Sequence, residues 1–97
     1  MYYKRLLDKF PLKNEIENVE NQTVLEYYLI KQDQNIDLNS FGICVSKKLN
    51  EVEQEEVCVE NISSDRYFTE KIINLLMKNK VTPITTIDVL NDMGILH

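Results

Sequence analysis

The chain is 97 residues long, with 16 acidic against 11 basic side chains, one histidine, two cysteines and no tryptophan, for a formal net charge of -5. That length holds one modest hydrophobic core and excludes a two-domain enzyme. The hydrophobic fraction of 43% and charged fraction of 28% belong to an ordinary folding chain, and no apolar run approaches the ~18 residues that a bilayer-spanning helix needs.

The charge is unevenly placed. Residues 1–13 carry a net +3, residues 14–39 a net -5, residues 40–62 a net -3, residues 63–82 a net +2 and residues 83–97 a net -2. An acidic middle repels phosphate backbones, so nucleic acid is not an expected partner.

At the N-terminus, Tyr3, Leu6, Leu7 and Phe10 fall at i, i+3, i+4 and i+7, which predicts a two-turn amphipathic helix over residues 2–10, ended by Pro11. A helix that short needs a surface to lie on. Its own domain, a partner protein and a membrane surface all remain open for this basic segment, residues 1–13. The segment has no continuous apolar stretch of the secretory type, so the expected compartment is the cytoplasm and the two cysteines are expected as thiols.

Residues 14–22 are polar and acidic and read as a loop. Three strands follow within residues 23–62: Thr23 to Lys31, Phe41 to Leu49, where Phe41, Ile43 and Val45 alternate, and Glu55 to Ile62. A turn within 50–54 joins the last two. Because a one-residue slip would turn every apolar side chain to the wrong face, the pairing is constrained: Ile43 faces Val59, Val45 faces Val57, Lys47 faces Glu55, and Cys44 falls opposite Cys58. The second face then carries Val24, Tyr28, Ile30, Cys44, Cys58 and Ile62 among Glu26, Ser46 and Glu60, too apolar a set to be simply wet.

Helices occupy residues 63–96. Ser63 is the expected N-cap of a helix over 64–80, with Ile62 and Tyr67 as a hydrophobic staple and Phe68, Ile72, Leu75, Leu76 and Asn79 as its inward stripe. Thr82-Pro83 opens a second helix with Ile84, Ile87, Leu90 and Met93 at helical spacing, and Gly94 stops it. The fold class is therefore α+β: a three-stranded antiparallel meander with the capped helix across one face and short helices at both ends, in one domain.

Over residues 41–92 this order resembles a domain-of-unknown-function family of short uncharacterised proteins from low-GC Gram-positive bacteria. The markers are Val81-Thr82-Pro83 and Asp88-Val89-Leu90-Asn91-Asp92. That family has no established activity, so the resemblance implies a bacterial cytosolic protein and supplies no site.

Catalytic constellations are not apparent. The lone imidazole is His97, the final residue, and Cys44 and Cys58 lack the further ligands that a zinc site requires. Asp33, Asn35, Asp37 and Asn39 alternate without the glycine turn and terminal glutamate of a calcium loop. With two glycines, Gly42 and Gly94, no phosphate-cradling loop can be built. No catalytic residue, cofactor or metal is expected. The expected function is non-enzymatic protein binding, of a regulatory or adaptor kind, through a sheet face or edge and the N-terminal segment. The candidate contacts are Tyr3, Leu6, Leu7, Phe10, Val24, Tyr28 and Ile30. A homodimer through the same surface is an open partner state, and a small enzyme or metal-binding protein is the rival class. Equally open is a compact monomer in which residues 2–10 or 84–96 cover the second face.

Overall fold

A computed structural model of the protein describes residues 2–12, 23–35 and 38–96. Four strands form one antiparallel meander: β1 (Tyr2–Leu12), β2 (Thr23–Asn35), β3 (Leu38–Leu49) and β4 (Val52–Ser63), in that spatial order. Two helices follow, α1 (Arg66–Lys78) and α2 (Pro83–Asp92). The loop expected over 14–22 and the terminal His97 lie outside the described residues.

The meander thus has four strands rather than three, because the N-terminal segment is a strand and not a helix. The cause is a bulge. Tyr3 pairs with Lys31 and Arg5 with Leu29, but past a register shift between Leu6 and Asp8, Phe10 pairs with Leu25. One extra residue reverses the alternation, so Tyr3, Arg5 and Phe10 share a face. Of the four residues at helical spacing, Tyr3, Leu7 and Phe10 thus turn to the helix side of the sheet and Leu6 to the other. Pro11 sits near the end of this strand, where the missing N–H is tolerated because β1 is an edge.

The β3–β4 register is the expected one: Ile43 lies against Val59, Cys44 against Cys58, Val45 against Val57 and Lys47 against Glu55. The connecting turn is tighter than expected, with Lys48 against Glu53 and Leu49 against Val52. Only Asn50 and Glu51 remain between the strands, at φ of 52° and 67°. Both lie in the left-handed region, as a two-residue hairpin turn of matching twist requires. Farther along, Gly42 meets the Val59 carbonyl oxygen, and a Cβ there would also sit 3.0 Å from Glu60 Cα. The strands can approach there only because the residue is glycine.

Leu25, Tyr27 and Leu29 of β2 and Phe41, Ile43 and Val45 of β3 form the sheet side of the core, with Ile72, Ile73, Leu76, Val81 and Leu90 from the helical region above them. Both helices lie on this face, so neither covers the other one. Asp65, not Ser63, caps α1: its carboxylate accepts from the amides of Tyr67 at 2.9 Å and Phe68 at 3.3 Å. Ser63 is still paired with Phe41 in the sheet and cannot open the helix. Its hydroxyl instead accepts from the Asp65 amide at 3.0 Å.

With the start moved by two residues, the inward stripe of α1 is Thr69, Ile72, Ile73 and Leu76. Phe68 and Leu75 are exposed, and Tyr67 is 82% exposed, so no staple forms. In α2, Pro83, Thr86 and Leu90 face inward, and Ile84, Ile87 and Met93 outward. The two buried threonines satisfy themselves within the helix: Thr69 Oγ1 donates to the Asp65 carbonyl and Thr86 Oγ1 to the Thr82 carbonyl.

Both helices end alike. After α2, Gly94 (φ 72°) lets its own amide reach the Asn91 carbonyl and the Ile95 amide reach the Leu90 carbonyl, each at 3.0 Å. After α1, Lys80 takes the glycine's place at φ 50°, with its amide on the Met77 carbonyl and the Val81 amide on the Leu76 carbonyl. A side chain in that region costs about 1–2 kcal/mol. Lys80→Gly should therefore stabilise the fold by about 1 kcal/mol, read as a higher urea midpoint, whereas Lys80→Ala should gain nothing.

Tyr27, fully buried, donates its hydroxyl to the Val81 carbonyl at 2.8 Å. Burial pushes its phenol up to about 12 from the ordinary 10.0. The folded state thus holds the proton more tightly, and the stabilisation is complete below pH 10.0 and is lost as pH rises towards about 12. Tyr27→Phe should cost about 1–2 kcal/mol at neutral pH by leaving a buried carbonyl without its donor. It should also flatten the alkaline decline, both read from urea unfolding across pH.

Candidate functional site

Two surfaces remain once the helices have taken one face of the sheet: the opposite face and the outer edge of β1. On the opposite face β2 presents Val24, Glu26, Tyr28 and Ile30, and β3 presents Cys44, Ser46 and Lys48. Ile30, Cys44 and Ser46 are buried there. Among the described residues, the groups found over this face are its own long side chains.

Lys4 of β1 spans β2 and β3 to reach Glu56 of β4, with Nζ to Oε2 at 3.0 Å, and on the way its ammonium sits 4.3 Å from the centre of the Tyr28 ring. Tyr28 donates its hydroxyl to Glu26, and Lys48 Nζ lies 3.1 Å from the same carboxylate oxygen. Burial pushes Glu26 up, but the Tyr28 hydroxyl and the Lys48 ammonium outweigh it and hold the carboxyl below its ordinary value. Burial and the hydrogen bond to Glu26 raise Tyr28, and Glu26 raises Lys48. On β4, hydrogen bonding between Glu53 and Glu56 raises Glu53 and lowers Glu56, which Lys4 lowers further against the effect of burial.

Cys44 and Cys58 are joined in a cross-strand disulfide, with Cα atoms 4.1 Å apart. The expectation of two thiols is corrected here: the sulfurs of two residues directly opposite each other on adjacent antiparallel strands are bonded. Among the described residues, Cys44, Glu56 and Cys58 are the only group of three metal-ligand atoms lying within 4.8 Å of one another. They do not fit a metal in this state. Zinc takes thiolates, the sulfurs are consumed by the bond, and Lys4 already holds Glu56. The two sulfurs are unequal, for Cys44 is fully buried and Cys58 exposed. An external thiolate can therefore reach Cys58 Sγ, releasing the Cys44 thiolate and leaving a mixed disulfide.

The candidate contact residues are divided by the fold. Leu7 and Phe10 pack against the core, Phe10 edge-on to Tyr27 with ring centres 6.0 Å apart. Tyr3 and Leu6 are 49% and 43% exposed and flank β1 on opposite faces. Val24, Tyr28 and Ile30 share the second face, Ile30 buried and Tyr28 engaged by Lys4 and Glu26. Spacing in the sequence could not separate these groups, since the Leu6/Asp8 bulge leaves no mark in residue type.

The architecture defines a small α+β protein in which an antiparallel four-stranded meander is backed on one face by two helices. The chain belongs to the family of unknown function DUF6514, whose model matches residues 9–95. No curated protein and no solved structure is detectably similar to the chain. No helix among the described residues is long and apolar enough to cross a membrane.

Glu26 gives the second face a pH signature. Its lowered carboxyl contributes stability above the ordinary value of 4.5 that is lost as pH falls below it through the folded value. Glu26→Gln should cost about 1–2 kcal/mol at neutral pH, leaving Lys48 without its counter-charge. The gap from the unaltered protein should close at lower pH, as read from urea unfolding at several pH values.

Proposed function

We propose that the protein is a non-enzymatic protein-binding module whose β1 edge takes up an extended, acidic segment of a partner protein as an added strand. The edge itself supports this reading. β1 is 11 residues long, and among the described residues it pairs with β2 alone. An edge strand is the place where a sheet can take up an added strand. It carries Lys4, Arg5 and Lys9 against Asp8 in a chain of net charge -5, so the edge selects a partner of opposite sign. The exposed Tyr3 and Leu6 offer one apolar contact on each face of an incoming strand. The bulge after Leu6 and Pro11 beyond it confine regular pairing to residues 2–6. Opposite it, β4 is an edge of the other sign, bearing Glu53, Glu55, Glu56 and Glu60, and it repels the same segment.

The test uses isotope-labelled protein and two synthetic peptides, one alternating glutamate with threonine and one alternating lysine with threonine. The acidic peptide should slow hydrogen exchange at alternate amides of residues 2–6, and Lys9→Glu should weaken its binding about tenfold. Absence of protection along β1, or equal binding of the basic peptide, would overturn the proposal. So would a dimer mass by light scattering without peptide, since a second copy would then occupy the edge.

A further inference from the structure

The sulfurs of Cys44 and Cys58 and a carboxylate oxygen of Glu56 lie within 4.8 Å of one another. The sheet register brings them together. Cys44 of β3 stands opposite Cys58 of β4, and Glu56, two residues earlier on β4, shares the face of Cys58. Glu56 uses its two oxygens differently: Oε2 is 3.0 Å from Lys4 Nζ, and Oε1 is 3.3 Å from Cys58 Sγ. Lys4 therefore fixes the carboxylate from its far side and leaves the near oxygen on the sulfurs, as an outer partner orients a metal ligand.

The bond between the sulfurs is what keeps a metal out, and a dithiol can remove it. One thiolate of the dithiol attacks the exposed Cys58 Sγ, and the Cys44 sulfur leaves as a thiolate and takes up a proton. The second thiolate of the dithiol then attacks its own sulfur in the mixed disulfide and releases Cys58. Two electrons pass to the protein, the reductant ends as a cyclic disulfide, and its two protons end on the two cysteines.

The reduced pair suits zinc. Bonds of about 2.3 Å to sulfur set two thiolates roughly 3.8 Å apart in a tetrahedral site, within reach of side chains whose β-carbons stand about 4.5–5.5 Å apart on paired strands. Both thiol protons are released as the metal binds. Two thiolates and one carboxylate leave the ion with a single negative charge, which the Lys4 ammonium on Glu56 offsets. Cys44 is fully buried, and a buried thiolate is tolerated where a metal compensates it. The sulfurs and Oε1 supply three corners of the tetrahedron, and water reaches the last through the exposed side of Cys58. Magnesium and calcium take about six or more oxygen ligands, whereas thiolates select a soft ion.

We propose that, once its disulfide is reduced, the protein holds a zinc ion between Cys44, Cys58 and Glu56. The site does not depend on β1 taking up a strand, and its test uses no peptide.

Isotope-labelled full chain is reduced with a dithiol, freed of it under argon and titrated with zinc or magnesium chloride beside the oxidised chain, and the amide spectrum is followed. The reduced chain should bind one zinc per chain, with saturable shifts centred on Cys44, Glu56 and Cys58 and an affinity at least about a hundredfold above that of the oxidised chain. Magnesium should shift nothing. Cobalt chloride should give the reduced chain a thiolate-to-metal charge-transfer absorption that zinc abolishes. Glu56→Gln should weaken zinc about tenfold, Cys58→Ser should remove the charge-transfer absorption of a thiolate pair, and Asp88→Asn, on the outer side of α2, should change nothing. Equal binding by the oxidised chain, no charge-transfer absorption, one metal shared by two chains, or normal affinity in Glu56→Gln would each overturn the proposal. So would a reduced chain that loses its dispersed amide spectrum and does not recover it with zinc.

Discussion

Tyr27 is the side chain through which the sheet and the helices are made into one object. Its ring is fully buried at the centre of β2, with Phe10 of β1 edge-on beside it, and its hydroxyl reaches the Val81 carbonyl in the turn between α1 and α2. Val81 also closes the end of α1 through its amide and buries its side chain in the core. One phenol therefore fixes the lateral position of β1, the depth of the sheet's inner face and the point where the chain changes direction between helices. A carbonyl in that turn would otherwise be buried without a donor, which is among the more costly defects a small core can carry.

The second face is organised on a different principle. The inner face is dry and apolar, whereas here charged side chains lie flat over smaller buried groups. Lys4 and Glu56 together reach from one edge strand to the other, and Tyr28, Glu26 and Lys48 form a second chain of contacts beside them. Long stems cover apolar surface while their charged ends find partners. The disulfide beneath ties β3 to β4, so the acidic edge strand is held both covalently and through its charges.

How much of this could be read from residues alone depended on whether alternation was kept. The β3–β4 pairing was legible down to Lys47 against Glu55 because both strands keep parity between Ile43 and Lys47. β1 was not, because its bulge breaks the period of two, bringing Tyr3, Arg5 and Phe10 to one face and leaving Leu6 on the other. Residue type alone puts the start of α1 two residues early, since Ser63 and Asp65 are both good caps in isolation and only the pairing of Ser63 with Phe41 decides between them. In α2, Thr86, bonded to its own helix, went inward while Ile84 stayed out, a reversal that hydrophobicity cannot foresee. The exposed pair Tyr3 and Leu6 was visible as part of the N-terminal stripe.

The bulge between Leu6 and Asp8 also has a genetic consequence. Losing one codon at Leu7 would restore simple alternation along β1 while Phe10 stayed anchored against Tyr27. The partners on β2 would all be kept, because Leu6 already lies against Tyr28 and Asp8 against Tyr27, with Leu7 as the extra residue between them. A single in-frame deletion there would thus straighten the strand and remove one apolar contact with the core, while every remaining residue kept its face. A codon lost elsewhere in the strand would instead turn part of it over, so the bulge is the one place in β1 where length can change and both surfaces stay as they are.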